Sequence, residues 1–449
     1  MKKTTLICFF ISLCLILISC SNNAHDGAID DLTDNPGKPE NNSKDNSSEK
    51  TITLGGMYLS DNLLREVKAF NEKSETLRIQ VINYFEEAEY DWAAAEMRLH
   101  TELIAGKGPD ILVDFGSRYT NNKLFVDLYP FIDNDNELER SDFFPNVLSA
   151  FEGTDGALRF VADRFVIQTM IGITEDLAFI NSWTPHDLLG ILDDLKHMQA
   201  PLGQYMDREG FVKTMIAFSG DEFINWEQYK ANLDSDEFIR ILEASRSLPN
   251  HIISDDDTSE FTRLRRGEHL VSFALVYTPR RYQEFVVALG DIRAIGVPTS
   301  QGGSDIIVPY NETLGITASS EHKEEAWSFI RRVLMSPYRT GSVNLSEVFS
   351  DGFPMRIELY DELIAETMSS TAAPATVEGP LLLGEMTQTE ADDLRAIIEN
   401  AKPVGQWLDI DIWRHLEGDM NTFYSGGKTA TETAKLMQFR IQTYLDELS

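Results

Sequence analysis

Between residues 52 and 115 short apolar runs alternate with amphipathic stretches, and that alternation limits the folds open to this chain more than any other feature. Residues 52–58 (ITLGGMY) read as a strand. Residues 61–73 follow with Leu63, Leu64, Val67 and Phe70 on one helical face. A second strand spans 78–85 (RIQVINYF), and a second helix spans 91–105 with Trp92, Leu99 and Leu103 aligned. GKGPD then turns the chain into a third strand over 111–115. Strands alternating with helices predict a parallel sheet covered on both faces. Ligands of such sheets lie beyond the carboxyl ends of the strands, so the loops after Tyr58, Tyr84 and Val113 should share one rim.

The run 158–174 (LRFVADRFVIQTMIGIT) is β-rich and longer than an ordinary strand, long enough to pass from one domain to another. Thr184-Pro185-His186-Asp187 opens a helix with a Thr N-cap, Pro at the first position and an acid in the first turn. Further helices are expected over 207–218, 235–247 and 324–334, strands over 270–277 and 292–297, and mostly helix beyond residue 386. The folded part has roughly 400 residues, more than one hydrophobic core ordinarily serves, so two domains are expected.

The amino terminus, MKKTTLICFFISLCLILISC, pairs Lys2 and Lys3 with an uncharged run from 6 to 19. That run is short for a bilayer span and fits an export signal, residues 1–19. Leu17-Ile18-Ser19-Cys20 resembles a bacterial lipobox, which implies cleavage before Cys20 and a lipid on Cys20. The three cysteines are Cys8, Cys14 and Cys20, so the folded part has no thiol, and disulfides, thiolate metal sites and Cys nucleophiles are excluded there. Residues 20–50 are rich in Asn, Ser, Asp, Pro and Gly and bury too little to offset their ordering entropy, which makes them a tether. Lys and Arg number 39 against 73 Asp and Glu, a net charge of −34. Such a surface repels phosphate backbones and anionic headgroups, which excludes nucleic acid and direct phospholipid binding and suits a monomer.

Signatures of chemistry are absent. Gly426-Gly427-Lys428-Thr429 matches the end of a phosphate loop, but position 422 is Thr where the first glycine belongs, and the preceding segment has a helical face of Ile412, Leu416, Met420 and Phe423. The same residues read as a turn between two helices, with Thr429 and Glu432 as a capping box. Gly106-Lys107-Gly108 lacks the third glycine of a dinucleotide fingerprint, DNDNEL at 133–138 has Leu138 where a calcium loop needs Gly, and no G-x-S-x-G or His-Glu-x-x-His occurs. No catalytic residue, cofactor or metal site is expected.

Several stretches, in order, resemble the family 1 extracellular solute-binding proteins, the receptor lipoproteins of ABC sugar importers. They are LREVKAFNEKSETLRIQVINY, ELIAGKGPDIL, LVDLYPFID, SWTPHDLL (with Ser182 in place of the usual Gly), AIGVPT, NETLGITASSEHKEEAWSFI, DGFPMR and YSGGKTATETAKLMQFRIQTYLDE. The resemblance implies an α/β, two-lobed periplasmic-binding-protein-like fold of type II, hinged, with a helical C-terminal segment. Its lobes would be 51–164 plus 312–352 and 165–311 plus 353–449. It implies no enzyme but a receptor on the extracytoplasmic face of the cell membrane, with a small-molecule saccharide and ABC permease subunits as partners. An exported glycoside hydrolase and a non-transport surface binding or sensor module are the alternatives.

A sugar receptor needs aromatic platforms with carboxylate, amide and Arg partners. The resemblance points to Asp114, Ser117 and Arg118 after GPDILV, to Tyr277 as a platform, and to Trp413 before the terminal hairpin, a residue that sits equally well in a core. Trp407 follows Pro403-Val404-Gly405 in a loop, Phe165 and Gln168 lie at the expected hinge, and Tyr58 and Tyr84 end the first two strands. Trp92, Trp183 and Trp327 are expected in cores.

Overall fold

The computed structural model describes residues 50–113, 124–153, 155–251, 258–336, 352–371, 383–403 and 410–448; the signal, Cys20 and nearly all of the tether lie outside them. Strand β1 (Lys50–Gly56), helix α1 (Asp61–Lys73), strand β2 (Leu77–Asn83), helices α2 (Tyr84–Glu87) and α3 (Trp92–Ile104) and strand β3 (Ile111–Val113) open the fold. β1 lies between β2 and β3 and is parallel to both. Ser60 caps α1 by accepting the Leu63 N–H, and Leu63 and Val67 of α1 are buried. Asp91 caps α3 by accepting the Ala94 N–H, and Ala95, Leu99 and Leu103 face inward. The Asp110 carboxylate of GKGPD accepts the Thr53 backbone N–H at 2.8 Å, the Thr53 hydroxyl at 2.9 Å and the Ser320 hydroxyl at 2.6 Å. It thereby ties β1 to a segment 210 residues further along the chain.

The three strands are parallel as expected, but the larger sheet they belong to is mixed. Its other main strands are β4 (Val161–Ile173), β5 (Ser272–Val276), β6 (Ile292–Ala294) and β7 (Ile306–Ile316). β7 runs antiparallel to β3 on one side and to β4 on the other, and β5 and β6 run antiparallel to β4. Parallel neighbours need a crossover element, and the regular strand–helix alternation that supplies one is confined to residues 50–113. The second strand also ends earlier than expected. The Asn83 side chain accepts the Glu86 N–H and starts α2, so Tyr84 and Phe85 are helical.

Two large buried clusters result. Ile52, Leu54, Leu63, Phe143, Phe329 and Phe353 belong to the first; Trp183, Phe211, Phe238, Leu416, Met437 and Ile441 belong to the second. β4 serves both, sending Phe165, Ile167 and Ile171 into the first and Met170 into the second. A smaller cluster of Met57, Tyr84, Leu99, Phe125 and Phe160 lies under α3. Helices α4 (Pro185–Asp194), α5 (Arg208–Phe218), α6 (Asp236–Ser245), α7 (Ile410–Tyr424) and α8 (Ala430–Leu448) build around the second core. Thr184 caps α4 with Asp187 closing the box, as the sequence predicts. Gly426 takes φ 79° between α7 and α8. The Thr429 N–H donates to Glu432 Oε2 at 2.9 Å and the Glu432 N–H donates to Thr429 Oγ1 at 3.2 Å, so GGKT is a helical turn with a capping box.

Candidate functional site

Gly56 pairs with Asn83 on one side and Val113 on the other, so the carboxyl ends of three parallel strands are level. Packing behind that rim is close. A Cβ on Gly55 would come within 3.0 Å of Pro109 and of the Tyr84 ring, and one on Gly56 within 3.0 Å of Leu59. Tyr58 stands out from the rim, 63% exposed. Asp114, Ser117 and Arg118, which follow β3 in the sequence, lie outside the described residues, as does Trp407.

Tyr84 does not point outward. It is fully buried, its hydroxyl donates to Glu102 Oε2 at 2.6 Å, and the Arg98 guanidinium lies 5.1 Å from its ring centre. Burial, followed by the bond to Glu102, pushes its phenol well above the ordinary range. Asn83 is the cause, because capping α2 turns the next residue inward. Phe165 is likewise buried, packed on Phe144 and Phe353 at 6.4 and 5.7 Å between ring centres. Gln168 is buried and its amide donates to the Ala274 carbonyl at 2.8 Å, on the strand that serves both cores. Tyr277, directly after β5, is half-buried.

The second core reaches the rim through α7. Trp413 packs against that core half-buried, with Lys213 Nζ 5.9 Å from its ring centre. The next residue, Arg414, forms an ion pair with Glu96 of α3 at 3.7 Å. Glu96 lies one turn after Trp92 and so shares its face of α3. The helix that follows the rim thus meets the helix that carries Trp413. The pairing of positions 96 and 414 leaves no local trace in the sequence. Trp183 and Trp327 are buried as expected, their indole N–H groups donating to the Gly296 carbonyl at 3.0 Å and to Asp135 at 2.7 Å; Trp92 is half-buried. Among the described residues no group of three or more His, Cys, Asp or Glu is placed to hold a metal ion.

No protein-family model matches the chain, and no curated protein matches it. Solved structures do. The sugar-binding protein MalE from Xanthomonas citri is 14% identical and aligns over 89% of this chain and 98% of its own, with a TM-score of 0.56. The ABC substrate-binding protein Lmo0181 from Listeria monocytogenes, solved with cycloalternan, is 14% identical over 89% and 100% of the two chains, with a TM-score of 0.53. A family 1 extracellular solute-binding protein from Alicyclobacillus acidocaldarius is 16% identical over 89% and 100%, with a TM-score of 0.51. With its two cores sharing β4 and its mixed sheet, this chain has the two-lobed α/β fold of the extracellular solute-binding proteins.

Proposed function

We propose that this protein is a lipid-anchored receptor on the extracytoplasmic face of the cell membrane, which captures a carbohydrate between two lobes and delivers it to an ABC permease. The observation that carries the reading is the approach of α3 to α7 at Glu96 and Arg414, beside Trp92 and Trp413. It brings the helix that follows the rim to a helix of the second core, with Trp92 on the face of Glu96 and Trp413 next to Arg414 in the chain. The neighbours named above, described as sugar-binding or solved with a cyclic saccharide, support carbohydrate as the solute. The lipobox-like segment at Cys20 supports the anchor. We take the lobes to follow the two large cores. That departs from the division expected from the resemblance in two places: Phe165, Ile167, Phe261, Val276 and Phe285 of 165–311, and Phe353, Tyr360 and Leu394 of 353–449, pack in the first cluster.

Capture on this reading is a population shift. A saccharide touching both lobes favours the closed arrangement by its difference in affinity for the two states, and the permease subunits read that arrangement. The solute undergoes no covalent change. A thermal-shift screen against mono- and oligosaccharides tests the substrate class, since a saturating solute raises the melting temperature by mass action. Stabilisation by a peptide or polyamine and by no saccharide would overturn it. Cys20→Ser should move the protein from the membrane fraction to the medium; retention would overturn the anchor.

A further inference from the structure

Tyr90 is held in a way its packing does not explain. Glu89 and Tyr90 have consecutive positive φ angles of 52° and 65°, a region that L side chains enter at a cost, above all bulky ones. The conformation is fixed: the Tyr90 N–H donates to the Phe85 carbonyl at 2.9 Å and the Asp91 N–H to the Ala88 carbonyl at 3.0 Å. The Tyr90 ring meets Phe85 edge-on, 5.4 Å between centres at 88°, and Phe85 rests against Trp92 at 5.6 Å. Yet the ring is 69% exposed. Strain of this kind persists where the surroundings over-determine it, and it gathers at ligand clamps. Here it is spent on presenting a rigid aromatic face to solvent, between the carboxyl end of β2 and the turn of α3 that bears Trp92 and Glu96.

We propose that Tyr90 is a stacking platform for a hexopyranose ring, an inference that rests on the carbohydrate reading and deepens it. The fitting class is a saccharide whose hydroxyls are mainly equatorial. Its axial C–H bonds form a flat apolar face that lies on the negative face of the phenol ring, while its hydroxyls remain free for polar partners in the plane. Phe85 acts as a positioning residue, since it meets the Tyr90 ring and itself rests on Trp92.

The test uses the mature chain and titrates maltotriose, cellotriose and laminaritriose against wild type, Tyr90→Phe, Tyr90→Ala and Tyr90→Gly, with the melting temperature of each variant measured alongside. Tyr90→Phe should bind as wild type. Tyr90→Ala and Tyr90→Gly should bind about tenfold more weakly, while Tyr90→Gly melts no lower than wild type because glycine accepts positive φ. Wild-type binding with unchanged affinity in Tyr90→Ala overturns the platform and leaves the receptor reading standing. Unchanged affinity with markedly lower melting in both truncations shows the ring to be a structural prop and also overturns it. A wild type that binds none of the three overturns the platform for such rings, and the thermal-shift screen against other saccharides, peptides and polyamines then decides separately whether the carbohydrate class and the receptor reading stand.

Discussion

The rim of β1, β2 and β3 and the α7–α8 end of the second core are built on opposite principles. The rim comes from contiguous sequence, with capped helices and parallel strands within residues 50–113. The far end is stitched from distant pieces. The Gln438 side chain accepts the Leu233 N–H at 2.6 Å and donates to the Ala231 carbonyl at 3.0 Å, while Gln442 accepts the Ala231 N–H at 3.0 Å and donates to the Tyr229 carbonyl at 2.9 Å. Two side-chain amides on α8 thus satisfy a segment about two hundred residues earlier, as a neighbouring strand would. A region of local contacts can form early, whereas the far end must wait for the last helix of the chain.

The largest test of that contrast removes one buried ring from each of the two large cores, the first of which contains the rim strands. Phe423→Ala in α7 and Phe165→Ala in β4 should each cost about 3–5 kcal/mol in urea unfolding. In backgrounds keeping only Trp183 or only Trp327, Phe423→Ala should shift the Trp183 transition more than the Trp327 transition, because the two indoles lie in different cores. Equal shifts would show one cooperative unit and remove the distinction.

Acid should act next. His269 is 3% exposed; burial and then the Arg263 charge push its imidazole down to about 4 from an ordinary 6.5. Between those values the unfolded chain holds a proton that the folded chain lacks, so stability falls as pH drops from 6.5 towards 4, by up to about 3 kcal/mol, and this contribution levels off below. His269→Gln should flatten that part of the urea-midpoint profile; an unchanged slope would refute the assignment. Thr429→Ala should cost about 1 kcal/mol by opening the capping box of α8, read as a lower urea midpoint in the Trp183 background. The smallest effect should come from Glu96 and Arg414, coupled by about 0.2–1 kcal/mol and screened by salt. A double-mutant cycle with Glu96→Gln and Arg414→Gln checks it, and zero coupling at low salt would separate the two helices energetically.

What the sequence makes legible follows the same division. The helices capped by Ser60, Thr184 and Thr429 could be read because each signal spans a few residues. The antiparallel joining of β4 to β7 could not, since it pairs Gln168 with Ile306 across a long intervening chain. The positions of the expected site residues were only partly readable. Tyr58 is exposed beside the rim and Trp413 is half-buried against the second core, while the Asn83 cap turned Tyr84 inward and sheet packing absorbed Phe165 and Gln168. Tyr90 is marked by a backbone conformation and not by any residue pattern.

On the proposed two-lobed reading, the pairing of β4 with β7 would govern how the two cores move. Seven residue pairs, from Gln168 with Ile306 to Val161 with Leu314, join the strands, with an irregularity between Tyr310 and Thr313. Sliding one strand past the other would break that ladder, whereas twisting it strains each bond only slightly, since paired strands are coiled to begin with. The connection therefore behaves as a torsion bar. Swivel comes at little cost, translation is resisted, and the gap between Tyr310 and Thr313 is the softest point along its length.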